Sequence, residues 1–309
     1  MKLSVVGTGY LGATHAACMA RLGHEVLGVD IDETKLGKLR SGEMPFYEPG
    51  LEELTREMVA TGRLQFTSSY AEAAEFADVH FLAVGTPQKR GEFAADVSAI
   101  ESVVASLGPM INRPAVILGK STVPVGTAHE MRALARSLSP AGDQLDLGWN
   151  PEFLREGHAI KDTLEPDRLV VGVADDGTGQ AESVAREVYA DLLDNGVPLL
   201  VTDLATAELA KTAANAFLAT KISFINAIAE VCEAAGADVV QLADAMGYDS
   251  RIGRAFLNAG LGFGGGCLPK DIRAFMARAG ELGAAQALTF LREVDSINMR
   301  RRTQMVEMV

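Results

Sequence analysis

The stretch KLSVVGTGYLG, residues 2–12, joins a short apolar run to three spaced glycines. The apolar half predicts a buried strand, and the segment after the last glycine predicts a helix. In this setting Gly7 makes a tight turn, Gly9 lets the backbone approach a pyrophosphate, and Gly12 permits close packing of helix on strand. The stretch therefore predicts a phosphate-binding turn at a helix N-terminus, with a purely structural glycine turn as the alternative.

A second apolar strand ends at Asp30, eighteen residues after Gly12. A carboxylate here accepts hydrogen bonds from the adenosine ribose hydroxyls, and its charge repels a 2′-phosphate. Strand, glycine triplet, helix, strand and acid in this order are far more specific than a glycine triplet alone. The sequence therefore predicts a Rossmann-like domain that binds NAD in preference to NADP.

Helix and strand patterns continue to alternate, which is typical of an α/β protein with a doubly wound parallel sheet. Strands are predicted at Lys2–Val6, Glu25–Val29, Leu64–Thr67, Val79–Val84, Ala115–Gly119, Leu145–Trp149, Leu169–Val173 and Pro198–Thr202. Helices are predicted at Ala13–Leu22, Thr34–Arg40, Leu51–Ala60, Val97–Leu107 and Gln180–Leu193, with a turn at 175–179. Residues 1–202 are thus predicted to form the NAD-binding Rossmann-like domain.

Polar residues follow three of these strands, where the carboxyl ends of parallel strands hold ligands. Thr86 and Thr122 lie in two such segments, although a helix cap or turn is an alternative role for each. The third segment carries Glu152 and Glu156, and Arg155 is available for a phosphate or as their ion partner. A solvated acidic turn is the plainer explanation for an isolated acidic pair.

The composition of the sequence changes after residue 203. Leu204–Ala235 contains neither glycine nor proline and is rich in alanine, which predicts one long helix. Lys211 and Asn215 are four residues apart and share a face of that helix. Further helices are predicted at Val239–Met246 and from Ala284 to the last residue. Residues 203–309 are therefore predicted to form an α-helical second domain.

The segment GFGGGCLPKD, residues 262–271, is poor in side chains, as is common where backbone approaches a ligand. Pro269 is tolerated in the first turn of a helix, so Cys267 is predicted at or just before a helix N-terminus. That position favours the nucleophilic thiolate. On this segment alone, a glycine-rich turn followed by an ordinary buried cysteine is an equally good explanation.

The composition narrows the function classes. The 309 residues include 28 basic and 41 acidic side chains, a net charge of −13 that argues against a nucleic-acid partner. No apolar run is long enough for a signal peptide or a membrane span, which predicts a cytoplasmic protein without membrane association. The three cysteines are widely spaced, and neither a disulfide nor structural zinc is expected.

Taken together, the motifs resemble the UDP-glucose dehydrogenase family, within the wider group of UDP-glucose and GDP-mannose dehydrogenases. Six motifs carry the resemblance along essentially the whole chain: GTGYLG (7–12), GTP (85–87), STVPVGT (121–127), NPEFLREG (150–157), ELAKTAANAFLATKISFINA (208–227) and GFGGGCLPKD (262–271). Gly266, before the cysteine, is often serine in the group. It is not the histidine of the branch that acts on N-acetylated sugars, which argues against that branch.

The resemblance implies an NAD-dependent four-electron oxidation of UDP-glucose to UDP-glucuronate. Cys267 would add to the intermediate aldehyde, forming a thiohemiacetal and then a thioester that water hydrolyses. Lys211 and Asn215 would stabilise the developing oxyanion, and Asp271 would orient water or the lysine. Glu152 would activate the water with Thr122 as its relay. No metal is needed for this chemistry.

The resemblance also implies two sets of binding residues and a homodimer formed through the long helix. NAD contacts are expected at Gly7, Gly9, Tyr10, Leu11, Gly12, Asp30, Lys35, Thr86, Thr122, Glu156 and Lys270. Substrate contacts are expected at Glu152, Phe153, Leu154, Arg155, Lys211, Asn215, Arg251, Phe263 and Gly264. Arg251 would reach across the dimer to the partner's substrate, and Glu156 is an alternative base.

The family continues with a C-terminal UDP-binding domain, a second Rossmann-like domain that the 309 residues do not include. A chain without it is expected to bind NAD and dimerise but to turn over sugar nucleotide weakly. Three alternatives stay open: a GDP-mannose dehydrogenase, a two-electron dehydrogenase of the β-hydroxyacid type, and a non-catalytic NAD-binding protein. Cys267 and the glycine run argue against the second of these.

Overall fold

A computed structural model describes residues 1–174 and 179–308 of the chain. The predicted turn at 175–179 falls mostly on residues 175–178, which lie outside the described residues. The chain divides into two compact units. Unit 1 comprises Met1–Thr86 and Asp96–Lys211, and unit 2 comprises Pro87–Ala95 and Thr212–Val309.

Unit 1 is built on one eight-stranded sheet with the order β3-β2-β1-β4-β5-β6-β7-β8. The strands are β1 (Lys2–Val6), β2 (Glu25–Val29), β3 (Leu64–Thr67), β4 (Val79–Leu82), β5 (Ala115–Gly119), β6 (Leu145–Trp149), β7 (Leu169–Val173) and β8 (Leu199–Asp203). The first six in sequence pair in parallel, and the order reverses between β1 and β4. Such a reversal point is where open α/β sheets bind ligands.

The sheet departs from the predicted all-parallel arrangement at one pairing. β7 pairs with β6 in the antiparallel sense, and β8 then pairs in parallel with β7. A parallel pairing requires a crossover that returns across the sheet. The β6–β7 connection instead holds only a six-residue helix that packs on the first helix of the chain, so β7 runs in the opposite direction.

Thirteen α-helices occur among the described residues. They are α1 (Tyr10–Arg21), α2 (Glu33–Arg40), α3 (Leu51–Ala60), α4 (Tyr70–Phe76), α5 (Ser98–Leu107), α6 (Thr127–Leu138), α7 (Ala159–Leu164), α8 (Ala181–Val188), α9 (Ala190–Asp194), α10 (Leu204–Ala235), α11 (Val239–Gly247), α12 (Leu268–Glu281) and α13 (Phe290–Met308). The long helix α10 is confirmed with its predicted bounds. No helix among the described residues combines the length and apolarity needed to cross a bilayer.

Several helix predictions were wrong or incomplete. The single helix predicted at Gln180–Leu193 is two helices that break at Tyr189, whose ring is buried. The helix predicted from Ala284 begins only at Phe290, after a 3-10 turn at Ala285–Leu288. Helices α4, α6 and α7 were not predicted. Helix α4 begins after a serine N-cap, Ser69, and α6 begins after Gly126, whose backbone is in the left-handed conformation.

Alternation along the strands places two cores on opposite faces of the sheet. Leu3 and Val5 of β1 join the core beneath α1, α3 and α8, whereas Val6 joins the core beneath α4, α5 and α6. The central strands are buried on both faces, which explains why their sequences are mainly apolar. Unit 2 has a separate small core that includes Phe263, Ile272 and Leu291.

Candidate active site

The glycine turn after β1 is shaped for backbone to meet a ligand. Gly7 has φ +93°, and a Cβ on Gly12 would lie 1.7 Å from the carbonyl oxygen of Gly7. Gly9, the N-cap of α1, instead faces open space, with no atom within 4 Å of a Cβ built there. Among the residues that the structure describes, no side chain caps α1, so its N-terminus suits the pyrophosphate of a dinucleotide.

Asp30 directly follows β2, in a setting that keeps it ionised. Its Oδ2 accepts hydrogen bonds from the Thr8 amide (2.9 Å) and hydroxyl (2.8 Å), and Lys35 Nζ lies 2.8 Å away. Burial acts to raise the pKa of Asp30, but the bonds from Lys35 and Thr8 outweigh it and hold that pKa below its ordinary value. The predicted NAD contacts Asp30 and Lys35 are therefore joined to the glycine turn.

The ends of β4 and β5 meet through a direct bond at the carboxyl edge. The Thr86 hydroxyl donates to the carbonyl oxygen of Thr122 at 2.7 Å. Thr86 is buried, so its hydroxyl also helps to hold these two strand ends together. The helix-cap alternative does not apply to Thr122, which lies five residues before the start of α6.

The segment after β6 brings two predicted catalytic residues together. Glu152 Oε1 lies 3.1 Å from Lys211 Nζ of α10, and both side chains are largely buried. Glu152 Oε2 accepts from the Leu154 amide at 2.7 Å. Across the described residues no hydrogen bond joins the Glu152 carboxylate to Thr122, so the predicted relay has no direct link here.

Two predicted substrate contacts of this segment, Phe153 and Arg155, interact with charged side chains elsewhere in the chain. Phe153 packs beneath Arg168, whose guanidinium carbon lies 3.9 Å from the ring centroid. Arg155 pairs with Asp162 through bonds of 2.5 and 2.9 Å, rather than with Glu152 or Glu156. The prediction of Arg155 as ion partner of those glutamates was therefore wrong. Asp162 lies in α7, a helix that the sequence did not indicate.

A buried carboxylate that sequence reasoning missed lies beside the glycine turn. Glu48 accepts a short hydrogen bond from the Tyr10 hydroxyl, and burial with this bond raises the pKa of Tyr10. Glu48 also accepts from the amides of Gly157 and Ala159, each at 2.8 Å. An acid between Pro45 and Pro49 was the only signal in the sequence. It does not reveal partners more than a hundred residues away.

Cys267 in unit 2 is the N-cap of α12, with Pro269 in the first turn of that helix. The predicted position of the thiol at a helix N-terminus is thus confirmed. Cys267 is exposed, whereas Cys18 is buried, and burial raises the pKa of the Cys18 thiol to about 12. The alternative of an ordinary buried cysteine therefore describes Cys18 and not Cys267.

The other predicted residues of unit 2 fall into two groups. Asn215 Nδ2 donates to Asp271 Oδ2 at 2.7 Å inside the unit, and Lys270 Nζ lies 3.4 Å from Asp271 Oδ1. Phe263, a predicted substrate contact, is buried in the core of the unit. Arg251 is exposed and pairs with Asp249 at 2.6 Å.

Comparison with known proteins fits this geometry. Residues 1–193 match the NAD binding domain of the UDP-glucose/GDP-mannose dehydrogenase family, and residues 205–300 match its central domain. The chain belongs to this family. It therefore carries the family's NAD-binding domain, with the glycine turn and Asp30 where a dinucleotide would be held.

Several members of the family are similar along most of the chain. A UDP-glucose 6-dehydrogenase of Rhizobium meliloti is 46% identical over 90% of this chain, and TuaD, a UDP-glucose 6-dehydrogenase of Bacillus subtilis, is 42% identical over 99%. The chain spans 63% and 64% of the lengths of these two curated relatives, which is less than two thirds.

Two solved structures of the family are also similar. A UDP-glucose dehydrogenase from the archaeon Pyrobaculum islandicum superposes with a TM-score of 0.89 at 39% identity, covering 97% of this chain and 68% of that one. A GDP-mannose dehydrogenase from Pseudomonas aeruginosa gives 0.76 at 34% identity, covering 100% and 71%. The Rossmann-like fold predicted from the sequence is confirmed.

Proposed function

We propose that the chain carries the site for an NAD-dependent four-electron oxidation of UDP-glucose to UDP-glucuronate. The observation that carries the proposal is the exposed thiol of Cys267 at the N-terminus of α12, after a run of glycines. A two-electron oxidation of an alcohol requires no nucleophile. A thiol in this position is what the second oxidation, from aldehyde to acid, requires.

Bound NAD would supply the acceptor of the electron pair in each of the two oxidations. Cys267 Sγ would form a bond to the aldehyde carbon, and the thiol proton would pass to the aldehyde oxygen, giving a thiohemiacetal. The second oxidation turns this species into a thioester. Water then breaks the C–S bond, which releases the acid and regenerates the thiol.

The roles of the other residues follow from their contacts. Glu152 is paired with the Lys211 ammonium and is the candidate base for the attacking water. Lys211 would donate to the oxygen that develops negative charge. Asn215, with its amide fixed by Asp271, would be a second donor to that oxygen. Such fixed donors stabilise an oxyanion without needing to reorganise during the reaction.

The assembly we propose is a homodimer formed through α10, with residues 203–309 as the dimerisation domain. Phe217, Phe224 and Val231 follow each other at seven-residue intervals on this helix and are 66%, 45% and 62% exposed. An apolar stripe with this period is typical of a helix that packs against another helix. A thiol that must stay reduced also suits the cytoplasm.

Counting NADH formed per sugar nucleotide consumed tests the proposal against its alternatives. Two NADH per UDP-glucose are expected. One would indicate the two-electron β-hydroxyacid type, and none would indicate a non-catalytic NAD-binding protein. The 34% identity with a GDP-mannose dehydrogenase makes GDP-mannose the competing substrate, so both nucleotides are assayed side by side. A preference for GDP-mannose would mean that the substrate is GDP-mannose and not UDP-glucose, while the proposed mechanism would stay the same.

A further inference from the structure

Two buried charged side chains hold the two ends of the segment that carries Glu152. Lys120 lies immediately after β5 and is 6% exposed, and Glu48 lies before α3 and is 4% exposed. Neither has an oppositely charged group within ion-pair distance anywhere in 1–174 and 179–308, the described part of the chain. An unpaired buried charge destabilises a fold, so its presence calls for another reason.

Lys120 fixes the start of the segment through Asn150. Its Nζ donates to Asn150 Oδ1 at 3.0 Å and to the Tyr189 hydroxyl at 3.3 Å. The Tyr189 hydroxyl donates to the same Asn150 oxygen at 2.6 Å, and Asn150 Nδ2 donates to the Val170 carbonyl at 2.8 Å. Asn150 is fully buried and lies two residues before Glu152.

Glu48 fixes the end of the same segment. Its two carboxylate oxygens accept the amides of Gly157 and Ala159, and the Tyr10 hydroxyl completes the set. Tyr10 belongs to the glycine turn, so this anchor also ties the segment to the dinucleotide turn. Glu152 and Glu156 thus lie between two anchor points, and their backbone has little freedom to move.

We propose that Lys120 and Glu48 are positioning residues that hold the 150–158 segment, and with it Glu152, at the carboxyl edge of the sheet. Each acts through backbone or Asn150 rather than by touching the reacting atoms. The assignment rests on the proposed function only where it names Glu152 as part of the reacting site. The anchoring itself is a property of the folded chain.

The surroundings of Lys120 indicate that it costs stability. Burial lowers its pKa to about 8, although Glu152 acts in the opposite direction. The other groups that face it are Asn150, the Tyr189 hydroxyl and the rings of Phe81 and Tyr189, while His15, fully buried nearby, is kept neutral. An apolar residue of similar length would avoid that cost but could not donate to Asn150.

The sign of the pH effect follows from that shift. The folded state releases the Lys120 proton near pH 8 and the unfolded chain near 10.5, so between these values the unfolded state binds more protons. The contribution of Lys120 to stability therefore rises with pH across this window, by on the order of 100-fold in the folding equilibrium constant, while the raised pKa of the buried Cys18 thiol acts in the opposite direction above about pH 9. The penalty is fully present below pH 8. Replacing Lys120 by methionine should remove both the penalty and the rise.

The test compares Lys120→Met with Lys2→Met, an exposed lysine that also lies over an aromatic ring. For Lys120→Met we expect equal or greater global stability at pH 7, a stability difference that shifts in favour of the unsubstituted protein as the pH rises from 8 to 10.5, and amide hydrogen exchange about tenfold faster in residues 152–157. Lys2→Met should show none of these changes. Unchanged exchange in residues 152–157 would overturn the assignment for Lys120.

Two further variants keep the proposal testable if Lys120→Met does not fold. Tyr189→Phe removes one donor to Asn150 and should also raise exchange in residues 152–157. Glu48→Gln leaves one oxygen for two amides and should raise exchange at Gly157 and Ala159, whereas the exposed Glu53→Gln should not. Exchange does not depend on turnover, so it decides the anchoring even if no sugar nucleotide is oxidised. If turnover is found, kcat should fall more than NAD affinity.

Discussion

The two glycine-rich stretches of the chain differ in what surrounds their glycines. In residues 7–12, two of the three glycines are enclosed: a Cβ on Gly7 or Gly12 would meet backbone within 3 Å. In residues 262–266, a Cβ built on Gly264 or Gly266 would have no atom of the described part of the chain within 4 Å. Glycine in the first stretch is therefore mainly a requirement of the fold. Gly264 and Gly266 have no such internal reason, which suits access for a bound molecule beside Cys267.

The largest expected effect is at Cys267, directly after the second glycine-rich stretch, and it is on reactivity and not on folding. Cys267→Ser should reduce acid formation by on the order of 10³-fold or more, because a nucleophile is removed. Global stability and NAD affinity should stay nearly unchanged, since the side chain is exposed and lies outside the dinucleotide turn. Calorimetry of NAD binding and product analysis on one sample measure both. Acid formed at the original rate would exclude thioester chemistry.

The next largest effect is on the stability of the fold, and it concerns the first glycine-rich stretch, residues 7–12. Gly12→Ala places a methyl group 1.7 Å from the Gly7 carbonyl oxygen, a backbone atom that cannot swing aside. We expect a loss of about 3 kcal/mol in the free energy of unfolding. Gly37→Ala is the matched control, because Gly37 lies inside α2 with open space around it and alanine favours helix. Denaturant unfolding should show the first variant destabilised and the second equal or more stable.

Whether the sequence predicts a contact depends on how far apart the two contacting residues lie along the chain. The strands were located closely because they are short, mainly apolar segments, and α12 because Pro269 marks a helix start. The partner of Arg155 was mispredicted because Asp162 belongs to a short helix without clear periodicity. Glu48 and Lys120 were missed because their partners at 157–159, 150 and 189 come together only in the folded sheet. The local sequence pattern predicts helices and strands. Contacts such as those of Glu48 and Lys120 depend on the tertiary structure, so the pattern does not show them.

A smaller effect concerns cofactor choice at the end of β2. Asp30→Asn removes the charge that repels a 2′-phosphate and releases Lys35, which lies 2.8 Å from it, to pair with that phosphate. The ratio of NADP to NAD affinity should rise about tenfold, or about 1.4 kcal/mol. Asp32→Asn is the control, because asparagine still caps α2 while the same charge is lost two residues away. Equal ratios in the two variants would show that net charge, not Asp30, sets the preference.

The smallest effect on stability is expected at Gly264, and it sharpens the comparison of the two stretches most directly. Gly264→Ala adds a methyl group into open space without a left-handed backbone, so the free energy of unfolding should change by no more than about 0.5 kcal/mol. If that space receives the sugar nucleotide, the same methyl group should weaken its binding several-fold. Gly266→Ser should be milder, because the family often has serine there. Isothermal titration with UDP-glucose, beside a denaturation curve, gives both quantities. Unchanged binding in Gly264→Ala would show that the open space at this position is not part of the binding site.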